Sequence, residues 1–313
     1  MATELKRQKV GWYFIAPVAI LLSIFLIYPI IYSLYLTLTS TRGLLTKFTG
    51  FANYRKLISD PLFFKALGNT FRILLLQVPL MLVLALVFAA MLNSKKLKFK
   101  GFFRTAIFLP SVTSLIAYTI LFKMLFSYDG MVNEALMALN LINAPVAWMQ
   151  APATATFVLI LAMVWRWTGY NMIFYLSAMQ NISGDLYESA SIDGATASQS
   201  FFQITLPLLK PMILFTTVMS TIGTLQLFDE PMNFSAGGTT ASMVGPDNCF
   251  LTLSVYIYNL CFKYTPRFGY AATVSYAILI IVAVLTFLQF KVSEDSEVRL
   301  QRKMAKEIKR GTN

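Results

Sequence analysis

Glu188, Asp193 and Arg166 are the charged side chains with the most specific surroundings in this sequence. The first two lie in a polar island, Glu188-Ser189-Ala190-Ser191-Ile192-Asp193-Gly194-Ala195, which is followed by Phe201-Phe202-Gln203-Ile204-Thr205-Leu206-Pro207. A displayed carboxylate, small neighbours and an apolar patch closed by a proline are the parts of a docking element. Glu188 would pair with a basic residue of a partner. Ala190, Gly194 and Ala195 admit a second surface, and Phe201, Phe202 and Ile204 offer it an apolar anchor. Asp193-Gly194 is a turn signal. It predicts a short helix over 185–191 and a second from Ala195 to Phe202, with Asp193 as its N-cap. Leu206-Pro207 then turns the chain back into an apolar segment. The competing assignment is an amphipathic helix that only lies on a bilayer.

Arg166 sits in the middle of an apolar segment, between Trp165 and Trp167. A cation there is costly and by default marks a cavity or functional site. Guanidinium donors and flat aromatic faces suit sugar hydroxyls and C–H faces. Equally, Arg166 fits a structural pair with a neighbouring helix or a partner chain. Trp167, Tyr170 and Asn171 lie near it at helical spacing.

Catalysis has little to work with. The chain has no histidine, and Cys249 and Cys261 form no metal motif. There is no nucleophile motif, no cluster of acids and no phosphate-binding P-loop. No catalytic residue, metal ligand or cofactor is therefore expected in this chain.

The elements that hold these residues are apolar. The 313 residues are 57% hydrophobic and 13% charged, about half the charge of a soluble domain. Six transmembrane helices are predicted, at 11–38, 71–93, 104–126, 154–179, 207–229 and 268–290, each long enough to cross a bilayer. The N-terminal apolar run outlasts a signal peptide and reads as a retained first helix. The net charge of +12 gathers in short segments beside the spans, without the aromatic interleaving that nucleic acid would need. Lys6, Arg7 and Lys9, then Lys95, Lys96, Lys98 and Lys100, then Lys291, Arg299, Arg302, Lys303, Lys306, Lys309 and Arg310 fall on one side. Both termini are therefore expected to be cytoplasmic. The division is a cytoplasmic N-terminus (1–10), a six-helix membrane domain (11–290) with a cytoplasmic loop at 185–207, and a charged cytoplasmic tail (291–313). On the opposite side, 127–153 reads as a short loop with an interfacial helix. The longer 230–267, with Gly237-Gly238 and Gly245-Pro246, reads as a folded loop able to meet a partner.

Glu188-x-Ala190-x-x-Asp193-Gly194-Ala195 with Phe202-x-Ile204-x-Leu206-Pro207 resembles the EAA loop of ABC importer permeases, in particular the carbohydrate-uptake group related to the maltose and glycerol-3-phosphate permeases. The resemblance covers nearly the whole chain. Tyr128-Asp129-Gly130, Trp165, Phe228-Asp229-Glu230-Pro231, Gly237-Gly238 and Phe268-Gly269-Tyr270-Ala271-Ala272 fall where that group has similar signals. The chain departs from it at Ser189, where the family has Ala, and in a longer loop around Cys249. The resemblance implies an all-α, type I importer permease in the bacterial cytoplasmic membrane, multi-pass and in contact with lipid. It implies as partners a second homologous permease, two ATPase subunits that hold ATP and Mg, and an extracellular substrate-binding protein. The EAA loop would sit in a cleft of the ATPase. By the same resemblance the substrate is a mono- or oligosaccharide. Its contacts fall on the two spans flanking the loop, near Trp167 and Tyr170 and near Ser220, Gly223, Thr224 and Leu227. Phe228-Asp229-Glu230-Pro231 resembles the arabinose, lactose and oligosaccharide permeases. Asp229 and Glu230 themselves read as solvated or capping residues.

Two other classes compete. A self-sufficient secondary transporter would carry intramembrane acids and internal repeats, and neither is evident. A membrane enzyme would need a catalytic constellation that is missing. Both leave the 188–207 pattern without a purpose.

Overall fold

Apolar composition and helical periodicity produce a mainly helical chain. The computed structural model describes residues 13–42, 45–94, 97–235 and 244–311, with side chains along the last helix described to Glu294. Residues 1–10 with Lys6, Arg7 and Lys9, the pair Lys95 and Lys96, and Gly237-Gly238 lie outside the described residues. So do the side chains of Arg299, Arg302, Lys303, Lys306, Lys309 and Arg310.

In chain order, α1 is Tyr13–Thr37, β1 Thr39–Arg42, β2 Leu45–Phe48, α2 Ala52–Ile58, α3 Pro61–Asn93, α4 Lys100–Val112, α5 Leu115–Leu125, α6 Met131–Ala138 and α7 Pro152–Gln180. Then come α8 Gly184–Ile192, α9 Ala197–Leu208, α10 Lys210–Leu225, α11 Asp229–Ser235, α12 Leu253–Tyr258 and α13 Phe268–Gly311. Four helices are long and apolar enough to cross a membrane: α1, α3, α7 and Phe268–Glu294 of α13. Two bent pairs, α4 with α5 and α9 with α10, bring the number to six if each pair is one span.

Three expected spans differ in detail. The second begins at Pro61 rather than 71. Proline pre-sets the first helical turn, and Asp60 caps it by accepting the Leu62 N–H at 3.0 Å. The third is not one helix but two, crossing at 98°. Pro110 gives no N–H to the helix, and the chain turns extended at Thr113 (ψ 147°), whose hydroxyl donates to the Pro110 carbonyl at 2.6 Å. The fifth is likewise bent, by 63°. α9 runs through Pro207, so the chain turns at Leu209, just ahead of Pro211, and α10 ends at Leu225 instead of 229. The last helix continues past the apolar stretch to Gly311, so the charged tail begins inside a helix.

Among the described residues the all-helical expectation has one exception, a two-stranded antiparallel hairpin pairing Thr39 with Phe48. Its strands, Thr-Ser-Thr-Arg and Leu-Thr-Lys-Phe, are short and rich in β-branched residues.

The described chain forms two compact units. One takes the residues up to Phe63 with Tyr256–Leu279; the other takes Phe64–Val255 with the residues from Ile280 on. In the first, buried Asn53 donates to the carbonyls of Thr37 (2.8 Å) and Thr39 (2.7 Å), fastening α2 beneath the hairpin. The Tyr276 hydroxyl donates to the Ile30 carbonyl at 2.7 Å, joining α13 to α1. Asp60 accepts from the hydroxyls of Tyr256 and Tyr270, each at 2.5 Å. In the second unit α4 packs closely on α7 at Gly169, where any Cβ would overlap the Ile107 carbonyl. Asn133 in α6 is wholly buried. It donates to the carbonyls of Ser127 (3.2 Å), Tyr128 (2.9 Å) and Val146 (2.9 Å), and accepts from Val146 N–H (3.1 Å) and Trp148 Nε1 (2.9 Å). That knot organises the loop between α5 and α7. The 244–252 stretch packs on α3 through Asn69, whose amide donates to Asn248 and Leu251 carbonyls at 2.8 and 3.1 Å. Cys249 and Cys261 are both free thiols.

Burial raises the Asp60 pKa, but the Tyr256 and Tyr270 hydroxyls and two backbone amides outweigh it, so the carboxyl titrates below its ordinary value. Because folding lowers this pKa, its contribution to stability is whole above the unfolded carboxylate's titration, near pH 4. It is lost as the pH falls through the folded value. Asp60→Ala should lower the melting temperature of the detergent-solubilised protein by roughly 5 °C at neutral pH, the effect of about 2 kcal/mol. The gap between wild type and variant should close on acidification. A gap that persists unchanged at pH 3 would assign the loss to something other than the carboxylate.

Candidate functional site

Two places collect the residues singled out by the sequence. The first is the α8–α9 loop. Ser183 caps α8 by accepting the Asp185 N–H. The helix ends when Gly194 takes a left-handed backbone, φ +78°. Ala195 N–H then bonds the Ala190 carbonyl (2.8 Å) and Gly194 N–H the Ser191 carbonyl (3.2 Å), the paired closure of a Schellman turn. The cap of α9 is Thr196, not Asp193. Thr196 Oγ1 accepts from Gln199 N–H at 3.3 Å, and Gln199 Oε1 accepts from Thr196 N–H at 2.7 Å, a complete capping box. Asp193 instead closes α8, its N–H bonded to the Ser189 carbonyl at 3.0 Å. Gly194 and Ala195 hold it too far from the first helical residue to cap α9.

The loop displays two faces. Glu188, Ser189, Ile192 and Asp193 are exposed on α8, and Phe202 is 61% exposed on α9. Ala190, Ala195, Phe201, Ile204, Leu206 and Pro207 are half-buried, and Thr205 is buried. Only part of the expected apolar anchor, Phe202, therefore stands free. Among the described residues Glu188 has no ion-pair partner. The Tyr187 hydroxyl meets Thr205 Oγ1 at 2.8 Å, linking the two helices.

The second place is a cavity of about 320 Å³ bounded by α3, α7, α10 and the start of α11. Trp167, Tyr170, Ser220, Gly223, Thr224 and Leu227, all named from the sequence, line it. So do Gln77, Met81, Asn171, Thr216, Asp229 and Glu230. Trp167, Tyr170, Phe174 and Phe215 form a chain of ring contacts, with centroids 5.8, 5.1 and 5.8 Å apart along it. The wall is braced by Thr224 Oγ1 donating to Gln77 Oε1 at 3.0 Å and by a 2.7 Å hydroxyl contact between Tyr175 and Thr216.

Glu230 departs from expectation. It is 6% exposed rather than solvated, and accepts from Trp167 Nε1 at 3.2 Å. Since α10 stops at Leu225, residues 226–228 turn and α11 starts at Asp229, which carries Glu230 inward. Arg166 stands behind the wall, not on it. Its guanidinium carbon lies 4.6 Å from the Tyr118 ring centroid and 5.4 Å from that of Trp167. Among the described residues its buried Nε and Nη1 have no acceptor within hydrogen-bond geometry. Sequence reasoning missed Gln77 and Met81. The available signal was an amide in an apolar helix, two residues before Pro79, because uncompensated polar groups are rare there.

Long apolar helices around a polar and aromatic cavity are the features of a membrane component with room for a solute. Comparison with known proteins agrees. The family described as "Binding-protein-dependent transport system inner membrane component" matches residues 81–293. The chain is 54% identical over 280 residues to the lactose transport system permease protein LacF of Rhizobium radiobacter, covering 90% of this chain and 92% of that one. It is 33% identical over 290 residues to the arabinooligosaccharides transport system permease protein AraP of Halalkalibacterium halodurans, covering 92% and 89%. A chain of a bacterial ABC transporter that imports the acidic polysaccharide alginate shares the fold, with TM-score 0.77 at 24% identity, covering 94% of this chain and 98% of that one. The chain belongs to the family of binding-protein-dependent inner membrane components, the permeases of ABC importers.

The glycines separate cavity from packing. A Cβ at Gly223 meets nothing within 4 Å, whereas one at Gly169 strikes backbone. Gly223→Leu should therefore fold with an unchanged melting temperature yet cut uptake roughly tenfold, as about 1.4 kcal/mol of lost fit would. Gly169→Leu should fail to accumulate in the membrane. Uptake by Gly223→Leu at the wild-type rate would take the cavity off the substrate's route.

Proposed function

We propose that this chain is one of two permease subunits of an ATP-driven sugar importer, and that the α3–α7–α10 cavity is its half of the sugar's path. The observation that carries the reading is the cavity wall. Aromatic faces of Trp167 and Tyr170 stand beside hydroxyl, amide and carboxylate groups of Ser220, Thr224, Gln77, Asn171 and Glu230. That combination suits a sugar, whose C–H faces stack on rings while its hydroxyls exchange hydrogen bonds. The substrate favoured is a neutral di- or oligosaccharide, in keeping with the lactose and arabinooligosaccharide permeases among its relatives.

Six spans with both termini cytoplasmic put the α8–α9 loop on the cytoplasmic side. There it docks on one of two ATPase subunits, which bind ATP and Mg. Exposed Glu188 and Phe202 support this reading, and so does the Gly194 turn that presents them. A second homologous permease completes the cavity, and an extracellular binding protein delivers the sugar. The side chains of α1 are almost entirely exposed in the single chain. A 25-residue apolar helix of that kind is covered by lipid or by the second permease. Buried Glu230 is a feature that a self-sufficient secondary transporter would also want, since ion coupling uses such acids.

The decisive experiment is recovery of the tagged chain from detergent-solubilised native membranes, then reconstitution of whatever co-purifies. A second permease and a P-loop ATPase should come with it, and sugar-loaded binding protein should stimulate ATP hydrolysis. The chain alone, active in uptake, would establish the secondary transporter instead. Glu188→Ala should leave the chain in the membrane but reduce its bound ATPase. Gly194→Val should do the same, because a side chain in that left-handed backbone costs about 1 kcal/mol or more. Normal ATPase recovery with both variants would refute docking through this loop.

A further inference from the structure

The loop between α7 and α10 is held at three points, and only two of them are local. The Schellman turn at Gly194 fixes the end of α8, and the Thr196–Gln199 box fixes the start of α9. Neither fixes the angle between the two helices. The third point does. The hydroxyls of Tyr187 and Thr205, 18 residues apart in sequence, meet at 2.8 Å. The turn and this contact together close the loop into a triangle. Thr205 is 4% exposed, so water competes weakly for its hydroxyl. The contact also sits at a mechanical junction. Tyr187 precedes Glu188 on α8. The backbone carbonyl of Thr205 accepts the N–H of Leu209 at 3.0 Å, and Leu209 is where the chain bends by 63° into α10. α10 in turn supplies Ser220, Gly223 and Thr224 to the cavity wall.

We infer that Tyr187 and Thr205 are positioning residues that lock α8 to α9, so that displacement of a docked ATPase reaches the Leu209 bend and α10 instead of being absorbed within the loop. The inference rests on the docking function proposed above. It separates docking from transmission. Glu188 and Phe202 hold the partner, while the Tyr187–Thr205 contact carries its movement.

The test uses the whole importer with its ATPase and binding protein in proteoliposomes, and reads sugar transported per ATP hydrolysed. Tyr187→Phe and Thr205→Val remove one hydroxyl each at nearly constant volume. Both variants should retain the wild-type amount of ATPase and its hydrolysis. Transport per ATP should fall about fivefold, the scale set by one ordinary hydrogen bond acting on a conformational equilibrium. The double variant should be no worse than either single one, since both break the same contact. Thr205→Ser, which keeps the hydroxyl, should restore transport per ATP. A merely stabilising contact would lower protein yield without changing that ratio. Wild-type ratios in Tyr187→Phe, losses that multiply in the double variant, or loss of the ATPase from either single variant would overturn the inference. A wild-type chain that recruits no ATPase would overturn the docking reading and this one with it.

Discussion

Backbone amides in hydrocarbon have no water to bond, so each must find a partner within the protein. The rest of this structure follows from that constraint. Where helices break, a side chain covers the exposed carbonyl. Thr113 serves Pro110 at the α4–α5 break, and Ser111 serves Phe108 at 2.7 Å just before it. Inside α10, Thr216 and Thr217 fold back onto the Ile213 carbonyl at 3.1 and 2.7 Å. Hydroxyls and amides with capacity to spare reach across to other helices. Tyr175–Thr216, Thr224–Gln77 and Gln289–Thr221 tie α10 to α7, α3 and the later part of α13. α10 thereby becomes the hub of its unit, at once cavity wall and continuation of the α8–α9 loop.

The same constraint explains how two opposite charges are kept beside the cavity. Trp167 handles both. Its ring, electron-rich on the face, lies 5.4 Å from the Arg166 guanidinium. Its N–H, positive at the edge, donates to Glu230. Glu230 and Asp229 further occupy the first turn of α11, where the helix dipole favours negative charge. One indole thus partitions a cation behind the wall from an anion on it, without a direct ion pair whose desolvation would be costly.

Much of this was legible in the sequence, for physical reasons that differ by element. α1 and the apolar part of α13 could be read because long uninterrupted apolar runs have few alternatives to a membrane helix, and α7 because Arg166 is the one charge in its 29 residues. Gly194 could be read as a turn because its dipeptide with Asp193 needs a left-handed backbone. The six residues reached by counting from Glu188 along a family resemblance line one cavity, because helical spacing on α7 and α10 turns them to a common side. What stayed hidden depended on tertiary geometry. The 98° break in α4–α5 looks the same in sequence as the Pro79 position, which α3 passes without a break. Thr196 took the cap from Asp193 because where α9 starts depends on how α8 ends. Glu230 looked solvated because its burial depends on α10 ending a turn early.

Asn133 shows how narrow the tolerance at one position can be. The two N–H bonds of its amide reach three carbonyls, one hydrogen being shared, and its oxygen accepts from two N–H groups within the 127–148 loop. Aspartate has the shape but no donor, so three carbonyls would face a carboxylate. Serine lacks the reach, and glutamine moves the amide a bond outward. None of the usual conservative replacements keeps both halves of the pattern. The shape of the whole loop therefore hangs on the chemistry of one side chain, whatever its surface residues are.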